Sequence, residues 1–154
     1  MSNLYDKDFP AWAEETAQLL IEHRFGEIDL DALIDEVQDL SRREKETVKS
    51  FLETIIEHLL KLAHAPGSIF DNNSNGWTST VRRTRRKLGE KLADSRTLSN
   101  YAVEKFNAAY AGALEDTIGS TPDFGQVNWP QSCPWTMEEI LDPDFFPACE
   151  NRSA

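Results

Sequence analysis

The spacing of apolar residues between Val48 and Ala63 constrains this chain more than any other feature. Val48, Phe51, Leu52, Ile55, Ile56, Leu59, Leu62 and Ala63 recur at steps of three and four, the period of one helical face, over about five turns. Pro66-Gly67 cannot continue such a helix. A stripe this broad needs neighbours on more than one side. The helix over residues 42–65 is therefore expected at the centre of a helical bundle.

The rest of the chain repeats the pattern. Phe9, Trp12, Ala13, Thr16, Leu19, Leu20 and His23 share a helical face, with Asp8 as N-cap, Pro10 in the tolerant first turn and Gly26 as terminator. Asp29 can cap a second helix carrying Leu30, Leu33, Ile34, Val37 and Leu40, and Ser41 and Glu44 have the capping-box spacing that would open the third. Residues 66–76, with three asparagines and two glycines, read as a flexible polar loop. A fourth helix is expected from Trp77 or Thr78 to about Ala93. A fifth is expected after Ser95, with Ala102, Phe106, Ala109, Tyr110, Ala113 and Ile118 on one face. No alternating apolar pattern suggests a strand. The spacing predicts an all-α fold: one domain over residues 1–154, with about five main helices plus a short C-terminal helix.

That last helix is the most explicit local signal. In CPWTMEEILDPDFFP, Thr136 and Glu139 form a capping box, and Trp135 and Ile140 stand at the positions of a hydrophobic staple. Pro143 stops the helix after little more than a turn. Residues 133–147 are expected to act as a latch that pins Phe145 and Phe146 on the bundle, each aromatic stabilising by about 1.5–3 kcal/mol.

Composition bounds the function classes. The 154 residues carry a net charge of −11, unevenly: residues 1–57 have net −9, residues 58–99 net +5 and residues 100–154 net −7. So acidic a chain repels nucleic acid at long range, and only the basic block could attract phosphate. No apolar run approaches the roughly 18 residues of a membrane span. No basic-then-apolar leader opens the chain, so a cytoplasmic location and free thiols at Cys133 and Cys149 are expected. Two cysteines sixteen positions apart and three histidines make no zinc signature.

Five stretches carry a family likeness: LYDKDFPAWAEETAQLL, IDLDALIDEVQDLSRREKE, HLLKLAHAP, the tryptophan-led basic WTSTVRRTRRKL, and the tail CPWTMEEILDPDFFP. On these the chain resembles the domain of unknown function 29 family of bacterial proteins, over nearly its whole length, the tail being the most specific part. The resemblance implies a compact all-helical bacterial protein of the cytoplasm and implies no activity. The Asn/Gly stretch before Trp77 and the segment PDFGQVNWPQ depart from the pattern.

Candidate sites are few. On a wheel of 100° per residue, Leu88 and Leu92 lie within about 20° of Val81, and the three mark the buried stripe of the basic helix. Arg85 lies about 40° from Val81, where it could form a structural ion pair with Glu36 or Asp39. Arg82 and Arg86 lie further round, and Arg83 and Lys87 point outward. With Trp77, these four are the candidate contacts for a partner or for nucleic acid, through the basic helix 82–91; apart from Trp77, no stacking aromatics interleave with them. His58 borders the apolar stripe of its helix. His64, about 120° away, falls on a polar face with Glu53 and Glu57, where a Glu57–Lys61 pair is expected rather than a metal site. There is no G-x-S-x-G, P-loop, G-x-G-x-x-G or HExxH. A dyad of Cys133 with His23, His58 or His64 is conceivable and nothing favours it. The sequence reading is a non-enzymatic protein-interaction module with no cofactor and no metal, whose partner is another protein and whose oligomeric state is open. A nucleic-acid-binding or regulatory module is the alternative, and a metal-dependent or thiol enzyme the distant one.

Overall fold

A computed structural model describes residues 4–120 and 122–150. The fold is all-α, with no strand among the described residues. In chain order the helices are α1 (Leu4–Lys7), α2 (Phe9–Ile21), α3 (Leu30–His64), α4 (Gly67–Asp94), α5 (Arg96–Ser120) and α6 (Met137–Leu141), with 3-10 turns at Phe25–Glu27 and Pro122–Gln126. The chain divides into two compact units, residues 1–43 and 44–154, and α3 runs through the boundary.

Three element boundaries depart from expectation, each for a physical reason. The helices expected over 29–40 and 42–65 are one 35-residue helix. Ser41 and Glu44 have capping spacing, yet no Gly or Pro interrupts residues 30–65. Arg42 pairs with Asp39 three residues back, and Arg43 lies 3.9 Å from both Glu36 and Asp39. Carboxylates one turn before cations support helix continuation, and a continuous backbone ladder outweighs a cap. The loop expected over 66–76 is instead the start of α4. Phe70 and Trp77, two turns apart, both pack on the buried cluster, and Asn73 returns its amide to the Ile69 carbonyl at 2.8 Å. Packing overrides the poor helix propensity of Asn and Gly here. Finally, α2 is ended not by Gly26 but by His23 in the left-handed conformation (φ 58°). The His23 and Arg24 amides bond the Leu20 and Leu19 carbonyls at 3.1 and 2.9 Å, the paired closure of a Schellman motif.

In the first unit, Asp8 caps α2 through the Ala11 amide and Asp29 accepts from the Ala32 amide. Trp12, Thr16, Ile28 and Ala32 are its buried residues. In the second unit the α3 stripe is the core: Val48, Leu52, Ile55, Ile56, Leu59 and Leu60 are fully buried. Val81 and Leu88 of α4 and Ala102, Ala109 and Ala113 of α5 cover it; the alanines allow close approach. Thr117 rather than Ile118 is the buried residue at the end of α5.

The segment after α5 returns over this core. Tyr110 donates to the Pro130 carbonyl at 2.6 Å and the Trp129 indole to the Phe124 carbonyl at 2.9 Å. The capping box is present: Thr136 and Glu139 exchange backbone-to-side-chain bonds at 3.2 and 2.8 Å. Ile140 is fully buried, and Trp135 sits edge-on to Phe145 with ring centres 6.2 Å apart.

Candidate functional site

The basic residues of α4 separate into two groups. Arg82, Arg83, Arg86 and Lys87 are exposed, whereas Arg85 is only 4% exposed. Asn75, Ser79, Arg82 and Arg86 follow steps of four, three and four, so they line one face. With Thr78 and Arg83 they border a shallow groove of about 500 Å³. Arg86 pairs with Glu90 at 3.3 Å, and the Arg82 guanidinium lies 5.4 Å from the centre of the Phe146 ring. Lys87 does not line the groove. Trp77 does not join this set either: it is half-buried against the core cluster and anchors α4.

Among the described residues Arg85 makes no ion pair with a carboxylate, contrary to expectation. It gathers the C-terminal segment through backbone: Nε donates to the Ile140 carbonyl at 2.7 Å, one Nη to Phe145 O at 2.7 Å and the other to Glu139 O at 3.3 Å. Ile140 stands in the last turn of α6, where carbonyls lack intrahelical partners, while the Glu139 carbonyl also accepts from the Asp142 amide at 3.3 Å; a cation there also suits the helix dipole. The guanidinium lies 5.0 Å from the Phe146 ring centre. Burial pushes its pKa down from the ordinary value, and Asp142 opposes this.

The histidines are also displaced from expectation in one case. His58 sits at the core edge with Nδ1 2.8 Å from the Thr54 carbonyl, beside the Glu57–Lys61 pair. His64, expected on a polar face, is 7% exposed. It stands edge-on to Trp129, 4.9 Å between ring centres, with Nδ1 3.2 Å from Glu150. The returning segment covers it, and no wheel drawn on α3 alone contains that segment. Burial lowers the pKa of both histidines. Cys133 and Cys149 are free and half-buried. Burial raises the Cys133 thiol above its ordinary pKa, the direction that suppresses thiolate chemistry. Among the described residues no group of three His, Cys, Asp or Glu could hold a metal.

The first unit holds an apolar face whose exposure periodicity does not predict, and a cleft that the sequence does not locate. Leu30, Ile34, Val37 and Leu40, the apolar face of the first half of α3, are 51–60% exposed. Between α1, α2 and the start of α3 lies a cleft of about 780 Å³. One side is aromatic: Tyr5 and Trp12 meet at 4.8 Å between ring centres and 68°. The other is residues 26–31, with Glu15, Glu27, Asp29 and Asp31 contributing carboxylates. The Tyr5 hydroxyl donates to Glu36 at 2.7 Å, and this bond to a carboxylate, before burial, pushes its pKa up to about 12. The Phe25–Glu27 turn brings these residues together, and Arg24 before it pairs with both Glu22 and Glu27.

Fold and surface thus define an all-helical protein with an arginine-lined groove on one unit and an acidic, partly apolar surface on the other. The chain matches the family described as "Domain of unknown function DUF29" over residues 4–146 and belongs to that family. No curated protein and no solved structure matches it. Among the described residues no helix is long and apolar enough to cross a membrane.

Proposed function

We propose that this protein is a docking module for another protein, and that the face Leu30, Ile34, Val37 and Leu40 receives an amphipathic partner helix with basic flanks. The observation that carries the reading is the exposure of these four residues in succession along one helix, since contiguous exposed apolar surface marks interaction sites. Steps of three and four are the anchor spacing that helix recognition uses. Charge selects the partner: residues 1–43 contain eleven acids and four bases, which disfavours a second copy and favours a cationic helix.

A photo-crosslinker placed at Val37 in the producing cell tests this. The expected result is one recurrent adduct whose captured peptide is a helix with Lys or Arg beside its apolar residues. That purified partner should bind the full chain and lose binding to Val37→Asp/Leu40→Asp. A concentration-dependent homodimer dissolved by the same substitutions would overturn the reading, as would crosslinks without a recurrent product.

A second reading rests on the groove of Arg82, Arg83 and Arg86, with Thr78 and Ser79 as further donors: contact with nucleic-acid phosphates. It predicts binding to generic DNA or RNA that falls steeply with salt and is lost in the triple Arg→Ala variant. Salt-insensitive or absent binding removes it.

A further inference from the structure

We propose that the cleft of the first unit binds an alkyl cation, a primary ammonium or guanidinium carried on an apolar stem. Three observations converge there. The first is the aromatic corner: Trp12 and Tyr5, nearly perpendicular at 4.8 Å, both line the cleft, and aromatic rings are the side chains that attract organic cations. The second is charge. Glu27 is neutralised by Arg24, and Asp29 caps α3, but Glu15 and Asp31 make no ion pair or hydrogen bond among the described residues, so the rim keeps uncompensated negative charge. The third is Thr16. It lines the cleft, is 6% exposed, and its hydroxyl makes no hydrogen bond among the described residues. Thr54 and Thr117, also in helices, each return theirs to the carbonyl four residues back. A buried hydroxyl without a partner is unfavourable, and a ligand N–H would satisfy it.

The walls restrict the ligand further. Leu4, Leu19 and Ile28 suit a methylene stem. An anion meets the carboxylates, and a neutral alcohol, though it can bond Thr16, gains nothing from the carboxylate charge. A bare metal ion is unsuited, because no cluster of three ligating side chains is present among the described residues. The same chemistry has two sources, a free amine or the Lys or Arg side chain of a bound protein. The cleft shares Leu30 with the docking face on α3, but the inference rests on none of that face's residues.

The test is an NMR titration of the full chain, read at the Trp12 indole N–H, with n-butylammonium and n-butylguanidinium as probes and n-pentanol and pentanoate as controls. The cations are expected to shift Trp12 saturably, and the controls to do so at least about tenfold more weakly. Trp12→Leu should weaken the cations about tenfold. Because Trp12 is buried, Thr16→Val is the second variant: it should weaken them while leaving the melting temperature unchanged or higher, as expected of an unpaired hydroxyl. Lysine and arginine capped as N-acetyl methylamides distinguish the sources. Binding equal to the free amines assigns the site to a protein side chain, and loss of binding assigns it to a free amine. Equal binding of pentanol or pentanoate, absence of a Trp12 shift, or a Thr16→Val variant that binds normally would overturn the proposal. Val37→Asp should leave the shift intact.

Discussion

Arg85→Ala should be the most damaging single substitution of a charged residue in this chain. The guanidinium is buried and its two shorter bonds, to Ile140 O and Phe145 O, are each 2.7 Å. A hydrogen bond to a charged group contributes about 1.5–3 kcal/mol net. Discounting the two for non-additivity, and counting carbonyls left without a donor, gives a loss of about 3–5 kcal/mol. At about 2–4 °C per kcal/mol for a chain of this size, the melting temperature should fall by roughly 6–20 °C. Arg83, exposed on the same helix, is the control, and Arg83→Ala should stay within about 0.5 kcal/mol. Arg85→Lys separates charge from shape: one ammonium cannot span three carbonyls, so it should fall between wild type and alanine. Urea denaturation gives the free energies, and hydrogen exchange at the Asp142 and Phe145 amides reports whether the terminal segment has loosened. A loss under about 1 kcal/mol, or one indistinguishable from Arg83→Ala, would refute the role assigned to the fork.

Other outcomes follow from the same structure. Thr136→Ala removes the N-cap bond of α6 and should cost about 1 kcal/mol, read as faster exchange of the Glu139 amide. Ile56→Ala in the core should cost about 2–5 kcal/mol, while Val37→Ala, exposed on the same helix, should change urea stability by no more than about 0.5 kcal/mol. His23→Gly should stabilise by about 0.5–1 kcal/mol, because a β-carbon is disfavoured at positive φ; thermal melting checks it. His58 and His64 both have depressed pKa values when folded, so the unfolded chain takes up more protons and stability rises with pH. Their contribution is complete above the ordinary histidine value near 6.5 and is lost as pH falls below it. His58→Gln/His64→Gln should flatten stability between pH 7 and about 5.5, and an unchanged slope would contradict the burial of these rings.

Local signals were legible where nothing competed with them. The Thr136/Glu139 and Ser41/Glu44 pairs have identical spacing; the first forms because no helix runs into it through residues 133–135, where Pro134 disfavours one, whereas the second lies inside the helix that runs on from Leu30. Wheel geometry separated Arg85 from Arg82, Arg83, Arg86 and Lys87, because angle around a helix follows from residue number alone. It could not find Arg85's acceptors, since backbone carbonyls carry no sequence signature. Periodicity likewise marked Leu30, Ile34, Val37 and Leu40 as one face without saying what covers it. The aromatic cleft was not visible at all. Tyr5 and Trp12 meet Asp29 and Asp31 only through the turn at Phe25–Glu27, and nothing local announces so long a return.

The Arg85 clasp also sets an order of events during synthesis. Its acceptors lie 54–60 residues further along the chain. At about 5–20 residues per second, the ribosome needs roughly 3–12 s to supply them. For that interval the guanidinium lacks its native acceptors, so this face of α4 cannot close before Phe145 has been made. The second unit is therefore completed late. Slow codons between Arg85 and Phe145 would lengthen the period in which a chaperone or protease can reach it.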